Sequence, residues 1–344
     1  MSRLQVVSGK GGTGKTTVAA ALALALATEG RRTLLVEVEG RQGIAQLFET
    51  EALPYEERKI AVTPGGGEVY ALAIDAERAL LDYLQMFYKL GSAGRALKKL
   101  GAIDFATTIA PGVRDVLLTG KACEAVRRRE KHGSRPGGRQ EGRQGDKQED
   151  KQADKQGDFV YDYVVMDAPP TGRITRFLNV NDEVAGLARI GPIHNQAQAV
   201  MRVLKSPETA VHLVTLLEEM PVQETADGIA ELRDAGLPVG NVIVNMVRPP
   251  VLDEDAVRVA AGDHRKEIAT ALASAGVSGP ARLVAPLLDE AAEHARRVEL
   301  EREQREALAK LQVPTYELPF LGEGADLAGL YRLARELRQL GVGT

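Results

Sequence analysis

Cysteine is nearly absent from this chain. Cys123 is the single one among 344 residues, so an intrachain disulfide is impossible and a reducing compartment fits. By residue type Cys123 reads as a small, semi-buried apolar side chain rather than a reactive thiol. Long hydrophobic runs are also missing. The longest, Val18 to Ala27 (VAAALALALA), falls well short of the roughly 18 residues that a membrane span needs. The first strand-like run starts at Leu4, which leaves no room for a basic stretch, an apolar segment and a cleavage site, so a cytoplasmic location is expected. Positive charge is not in excess. A net charge of -4 supplies no broad field for nucleic acid, and no nucleic-acid partner is expected. The histidines, at 132, 194, 212, 264 and 294, show no metal-ligand spacing.

What is present has ordinary proportions. Hydrophobic residues at 44% and charged residues at 27% argue for a soluble globular chain of enzyme size rather than a fibrous or disordered one. Apolar, β-branched runs of strand length recur at 4–7, 33–38, 69–74, 161–166, 211–217, 241–247 and 313–318, with helix-period segments between them. That alternation predicts an α/β fold, a mostly parallel sheet with helices on both faces. We read 1–344 as one domain. The segment between the third and fourth runs is too long for a simple crossover, and with a second helical stretch it predicts a helical lobe from about 79–128 and 182–208. Within it Leu80, Leu81, Leu84, Phe87 and Tyr88 could line an apolar groove, though such spacing belongs more often to core, and only Met86 and Met201 supply the methionine that client grooves often use. Residues 139–158 repeat RQEG RQGD KQED KQAD KQGD. Balanced charge, glycine and almost nothing to bury predict a disordered low-complexity insertion over 130–158. The C-terminal DLAGLYRLARELRQLG is amphipathic and predicts a last helix docked on the sheet.

One stretch carries sharper chemistry. Residues 8–17 read SGKGGTGKTT, in which Gly9 to Thr16 fit G-x-x-x-x-G-K-(S/T) after a strand and at the opening of a helix. The glycines let backbone N–H groups turn inward, and the helix beginning near Lys15 points its positive end at the same anion. The pattern predicts a P-loop NTPase that holds ATP and Mg²⁺ through Gly11, Gly12, Thr13, Gly14, Lys15, Thr16 and Thr17. Lys15 reaches the β and γ phosphates and Thr16 ligates the metal. Lys10 is a second lysine, five residues early; by spacing alone it is either an extra cation for the triphosphate or a solvated loop residue.

Carboxylates follow at the ends of two later strands. Glu37 and Glu39 end the second, where ligand sites sit in parallel α/β sheets, and one of them could orient a water for attack on the γ-phosphate. Asp167 ends the fourth (VVMDAPPTGR), the place of a carboxylate that contacts Mg²⁺ directly or through water. Pro169, Pro170 and Gly172 then enforce an irregular loop able to act as a switch.

The loop KGGTGKTT resembles the deviant Walker A class of P-loop ATPases. DAPPTGRITRFL and LVTLLEEMPVQET are similar to segments of the arsenical pump (ArsA) ATPase family, which includes the ATPases that target tail-anchored membrane proteins. The likeness spans nearly the whole chain. It implies that Lys10 reaches the nucleotide of a second subunit, much as an arginine finger does. It also implies that Glu39 stands where the family has a catalytic aspartate, that Asn245 reads adenine, and that Pro319 and Phe320 flank the base. The chain departs from the family in three ways: glutamate at 39, Arg173 where histidine is usual, and no cysteine pair to clamp a dimer through zinc or to bind arsenite. The same shortage argues against the iron–sulfur members of the wider class.

The resemblance therefore implies a Mg-dependent ATPase, slow in turnover, that works as a nucleotide-gated dimeric switch on a protein client or membrane-associated partner. The dimer is either homodimeric or formed with a paralogous ATPase. Two alternatives stand beside it: a positioning ATPase that binds DNA or membrane when ATP is present, and a regulatory nucleotide-binding module without useful hydrolysis.

Overall fold

The computed structural model describes residues 2–75, 78–79, 111–130, 158–187, 192–262, 264–322 and 324–342. Eight strands, β1 (Leu4–Gly9), β2 (Arg32–Glu37), β3 (Arg58–Val62), β4 (Glu68–Ala73), β5 (Tyr163–Asp167), β6 (Thr209–Thr215), β7 (Val239–Val247) and β8 (Thr315–Pro319), form one sheet. Their order across it is β3, β4, β2, β5, β1, β6, β7, β8. Every neighbouring pair is parallel except β3 with β4.

Parallel strands covered on both faces must be apolar on both, which is why β1 (LQVVSG) is buried along its whole length. Alternate residues serve opposite cores. Leu4, Val6, Leu34, Val36, Val164 and Met166 join one cluster, whereas Val7, Leu35, Val165, Val214 and Ile243 join the other. The second is filled by α1 (Lys15–Leu26), whose residues from Val18 to Leu26 are all buried. Alanine and leucine all round suit a helix caught between the sheet and another helix. That other helix is α10 (Leu327–Gln339), which buries Leu330, Leu333, Ala334 and Leu337 and whose first turn is capped by the Asp326 carboxylate accepting from Gly329 N–H at 2.7 Å. The short α2 (Gly43–Leu47) follows β2.

On the opposite face lie α3 (Pro111–Arg127), α4 (Thr171–Leu187), α5 (Pro192–Leu204) and α6 (Glu219–Asp234). Ile174 and Phe177 of α4 and Met201 of α5 are buried in that core. The helices α3, α4 and α5 pack on one another. The expected groove residues Leu80, Leu81, Leu84, Met86, Phe87 and Tyr88 lie outside the described residues, as does all but the ends of the expected insertion. Those ends are adjacent: Arg129 and Phe159 form an antiparallel bridge, Glu130 N–H donates to Asp158 O at 2.8 Å, and Val160 N–H donates to Arg128 O at 3.0 Å.

Two features depart from the sequence reading. Strand β3 (RKIAV) was not among the expected strands, because an edge strand with partly exposed residues lacks the continuous apolar run of its neighbours. A further helical layer, α7 (Glu254–Ala261), α8 (Arg265–Ser274) and the 30-residue α9 (Pro280–Ala309), lies in sequence between β7 and β8, where helix-period residues were expected but not a separate layer. No helix among the described residues is long and apolar enough to cross a membrane.

Candidate functional site

The carboxyl ends of β1, β2 and β5 converge, as expected for a ligand site in an open α/β sheet. Val7 of β1 and Glu37 of β2 both lie in register with Asp167 of β5. From β1 the chain turns through Lys10 to Gly14 into α1. Two glycines are forced there. A side chain at Gly9 would run into the Val214 carbonyl of β6 and lie 2.9 Å from Thr13 Oγ1. Gly14, the N-terminal cap of α1, sits at φ 83°, and a Cβ there would strike the Asn245 amide nitrogen.

The loop is held from both sides. Thr13 is buried, and its hydroxyl donates to Lys10 O at 2.9 Å. The Asn245 amide, on β7, donates to Thr13 O at 2.9 Å. Gly11 and Gly12 are exposed, while Lys15, Thr16 and Thr17 at the start of α1 are half-buried. Ser8 ties the end of β1 to the proline loop by donating to Pro169 O at 2.6 Å.

Thr16 and Asp167 meet directly. The Thr16 hydroxyl donates to Asp167 Oδ2 at 2.7 Å, while Asp167 Oδ1 is buried without a partner. An orphaned carboxylate oxygen beside a hydroxyl is the hard-oxygen donor set that suits Mg²⁺, which takes few protein ligands and keeps several waters. These two residues fit the ion that the sequence assigned to them. Burial pushes the Asp167 carboxyl up to about 6; the Thr16 hydroxyl and Lys15 counter this, whereas Glu37 and Glu39 add to it. At neutral pH the group is mostly ionised and able to take a cation.

The two acidic residues after β2 have separate surroundings. Glu37 is buried, and its two oxygens accept N–H bonds from Gln42 at 2.5 Å and Ile44 at 3.3 Å. It fixes the turn into α2, where Gln42 adopts φ 58°. Glu39 is only loosely paired with Arg41, at 3.6 Å, so it is the carboxylate with capacity left for a water.

Lys10 is engaged outside its own loop. Its Nζ lies 2.8 Å from Glu224 Oε1 on α6, and both side chains are about one-third exposed, at 31% and 36%. Glu224 falls inside the LVTLLEEMPVQET segment, where no pattern singles it out from its acidic neighbours. Arg173, at the start of α4, leans toward Asp115 of α3 at 3.8 Å, and burial raises the Asp115 carboxyl.

Beside the loop, between the carboxyl ends of β6, β7 and β8 and helix α9, is a cavity of about 280 Å³. Asn245, Val247, Arg248 and Phe320 line it, together with Arg297 and Glu301 of α9. Pro319 closes β8 opposite Val247, and Phe320 N–H donates to Val247 O at 2.9 Å. The Arg248 guanidinium stacks 4.6 Å above the Phe320 ring. The structure thus brings Asn245 and Phe320 to one cavity; the arginines and Glu301 around it were not anticipated. Cys123 is fully buried and its thiol is pushed up to about 12, which leaves no thiolate for a metal or arsenite. Among the described residues no cluster of histidine, cysteine, aspartate or glutamate could hold a metal by itself.

Residues 2–132 match the family model of the anion-transporting ATPases. The chain is 51% identical over 342 residues to the ATPase BagA of Mycobacterium tuberculosis, a match that covers 99% of this chain and 94% of the relative. It is 26% identical over 283 residues to the ATPase GET3 of Kluyveromyces lactis, covering 72% and 73% of the two chains. With the arsenical pump-driving ATPase of Escherichia coli the identity is 24% over 287 residues, or 79% of this chain and 44% of that one.

Proposed function

The chain belongs to the anion-transporting ATPase family, and from that premise we propose that it is a Mg-dependent ATPase working as a nucleotide-gated dimeric switch. ATP is the substrate. The N–H groups of the loop from Gly11 to Thr16, with the N-terminus of α1, bind its phosphates, and Lys15 neutralises the β and γ groups. Thr16 and Asp167 would hold Mg²⁺, which when bound supplies charge neutralisation at the transferring phosphoryl group. Glu39 orients the attacking water. Asn245 acts twice, pinning the loop through Thr13 and forming part of the wall that receives the base, with Pro319 and Phe320 on its far side.

The observation that carries the dimeric reading is the position of Lys10. Its ammonium is displaced from its own phosphate loop onto Glu224 at 2.8 Å and remains partly exposed, so it is free to exchange that carboxylate for a triphosphate presented by a second subunit. The second subunit is another copy or a paralogous ATPase. Hydrolysis followed by release of inorganic phosphate removes the charge that held the two together, and the client leaves or moves with the reopened pair. The client is a protein or membrane-associated partner; a single, buried cysteine offers no multi-thiol site for arsenite.

Light scattering coupled to size separation, with and without Mg-ATP, tests this reading. A change from one to two chains that is lost in Lys10→Ala supports it. An unchanged monomer, alone and mixed with its co-purifying partner, would sink it.

A further inference from the structure

A second, larger cavity lies away from the nucleotide loop. It measures about 550 Å³ and is framed by the loop after β7 and by α7, α8 and α9. Its walls are mostly aliphatic: Val251, Val259, Ile268, Leu287 and Ala291 are among them, and no Phe or Tyr is among the described lining residues. An amphipathic helix normally buries its apolar stripe against a neighbour. Here the stripes turn toward a void instead. Helix α8 has no buried residue, and Val259 and Leu287 are 46% and 42% exposed.

Polar groups are confined to Glu290 and His294, one turn apart on α9. His294 is already engaged: its Nδ1 lies 3.1 Å from the Arg297 guanidinium, and its Nε2 faces Leu252 N–H at 3.4 Å. Glu290 is therefore the charged group that meets whatever enters. The volume falls within the range of small-molecule sites, roughly 300–1,000 Å³. Ten residues line it, far fewer than the roughly 20–30 a side of a stable protein interface.

We propose that this cavity binds an unbranched aliphatic molecule whose head group donates hydrogen bonds, an alcohol or an amine. The aliphatic walls select a flexible hydrocarbon over a planar or multiply charged ligand. The Glu290 carboxylate accepts from the donor head and repels a fatty carboxylate. The site is built on the same helix as the nucleotide cavity, because α9 contributes Glu290 to one and Arg297 and Glu301 to the other.

Calorimetry on the full, nucleotide-free chain with 1-decanol, decylamine and decanoate, each below its aggregation limit, provides the test. Decanol and decylamine are expected to bind at one site per chain, with decanoate at least tenfold weaker. Glu290→Gln should bring decanoate to within about threefold of decanol. Ala291→Trp should fill the cavity and abolish decanol binding while ATP binding persists; Ile268→Asn, which weakens the wall without adding bulk, covers a failure of the first variant to fold. Absence of binding by both the alcohol and the amine overturns the proposal, as does binding that both cavity variants leave unchanged. Concentration-dependent self-association that Ala291→Trp removes would assign the surface to a second copy and likewise overturn it.

Discussion

Lys10 and Glu224 are 214 positions apart in the chain and 2.8 Å apart in space. The pair joins the phosphate loop to α6 and occupies the lysine that the loop's unusual spacing makes available. A partly exposed ion pair of this kind contributes at most about 1 kcal/mol, so it can hold Lys10 at rest without preventing its transfer to a triphosphate.

Glu224→Gln should therefore free the lysine cheaply. ATP-driven dimerisation is expected at up to about fivefold lower protein concentration than in the parent, whereas Lys10→Ala should abolish it and leave ATP binding within about twofold. Sedimentation at several protein concentrations distinguishes them. If Glu224→Gln behaves like Lys10→Ala, Glu224 is part of the assembled site and not a resting partner.

The two glutamates after β2 should fail in different ways. Glu37 accepts two buried N–H bonds, and losing charge-assisted acceptors costs about 1–3 kcal/mol, so Glu37→Gln should melt several degrees lower. Glu39→Gln should leave the melting temperature unchanged and reduce phosphate release at least tenfold. Thermal unfolding and single-turnover hydrolysis, measured on both, separate the roles. Equal loss of stability in the two variants would contradict the assignment.

Asn245→Ala removes the donor that Thr13 O uses. A destabilisation of about 1 kcal/mol is expected, with ATP affinity reduced several-fold because the loop is no longer held in shape. Asn245→Asp should be worse, since a carboxylate would face the Thr13 carbonyl. Titration with a fluorescent ATP analogue reads this, and an unchanged affinity in both variants would leave Asn245 outside nucleotide binding.

His212 should withdraw stability in mild acid, while the raised Asp167 carboxyl opposes it over the same range. His212 is fully buried, its Nε2–H donates to Gln5 Oε1 at 2.6 Å and its Nδ1 accepts from Asn241 N–H at 3.0 Å. Burial lowers the imidazole to about 4, against an ordinary 6.5. The unfolded chain thus takes up a proton first, and stability is present above about pH 6.5 and is lost as pH falls toward 4, by up to about 3 kcal/mol. Urea unfolding of the parent and of His212→Gln between pH 7 and pH 4.5 tests the sign: the stability of the parent relative to the variant should fall as pH falls.

The phosphate loop was legible in the sequence because its requirements are local. Glycine at positions 9 and 14 answers two steric demands, and Lys15 and Thr16 follow at fixed spacing on one helix start. Asp167 was equally plain, since an acidic residue after an apolar strand marks the sheet's binding edge. Glu224 was not, because nothing on α6 reveals which loop it will meet. Glu37 and Glu39 looked alike as carboxylates at a strand end. Only the path of the backbone through Gln42 and Ile44 shows that the first is consumed by N–H groups. Strand β3 escaped because edge strands need no continuous apolar run. Helix-period residues were expected after β7, but not that they form a layer of their own, because their apolar residues surround a space and do not announce a packed neighbour.

The bridge between Arg129 and Phe159 carries a consequence for how this protein can vary. With the two ends already stitched together by backbone bonds, a flexible segment spliced between them would meet only the logarithmic entropy of a closed loop, about 0.6 kcal/mol for each doubling of its length. The junction is therefore the natural port at which to splice a reporter domain into the ATPase.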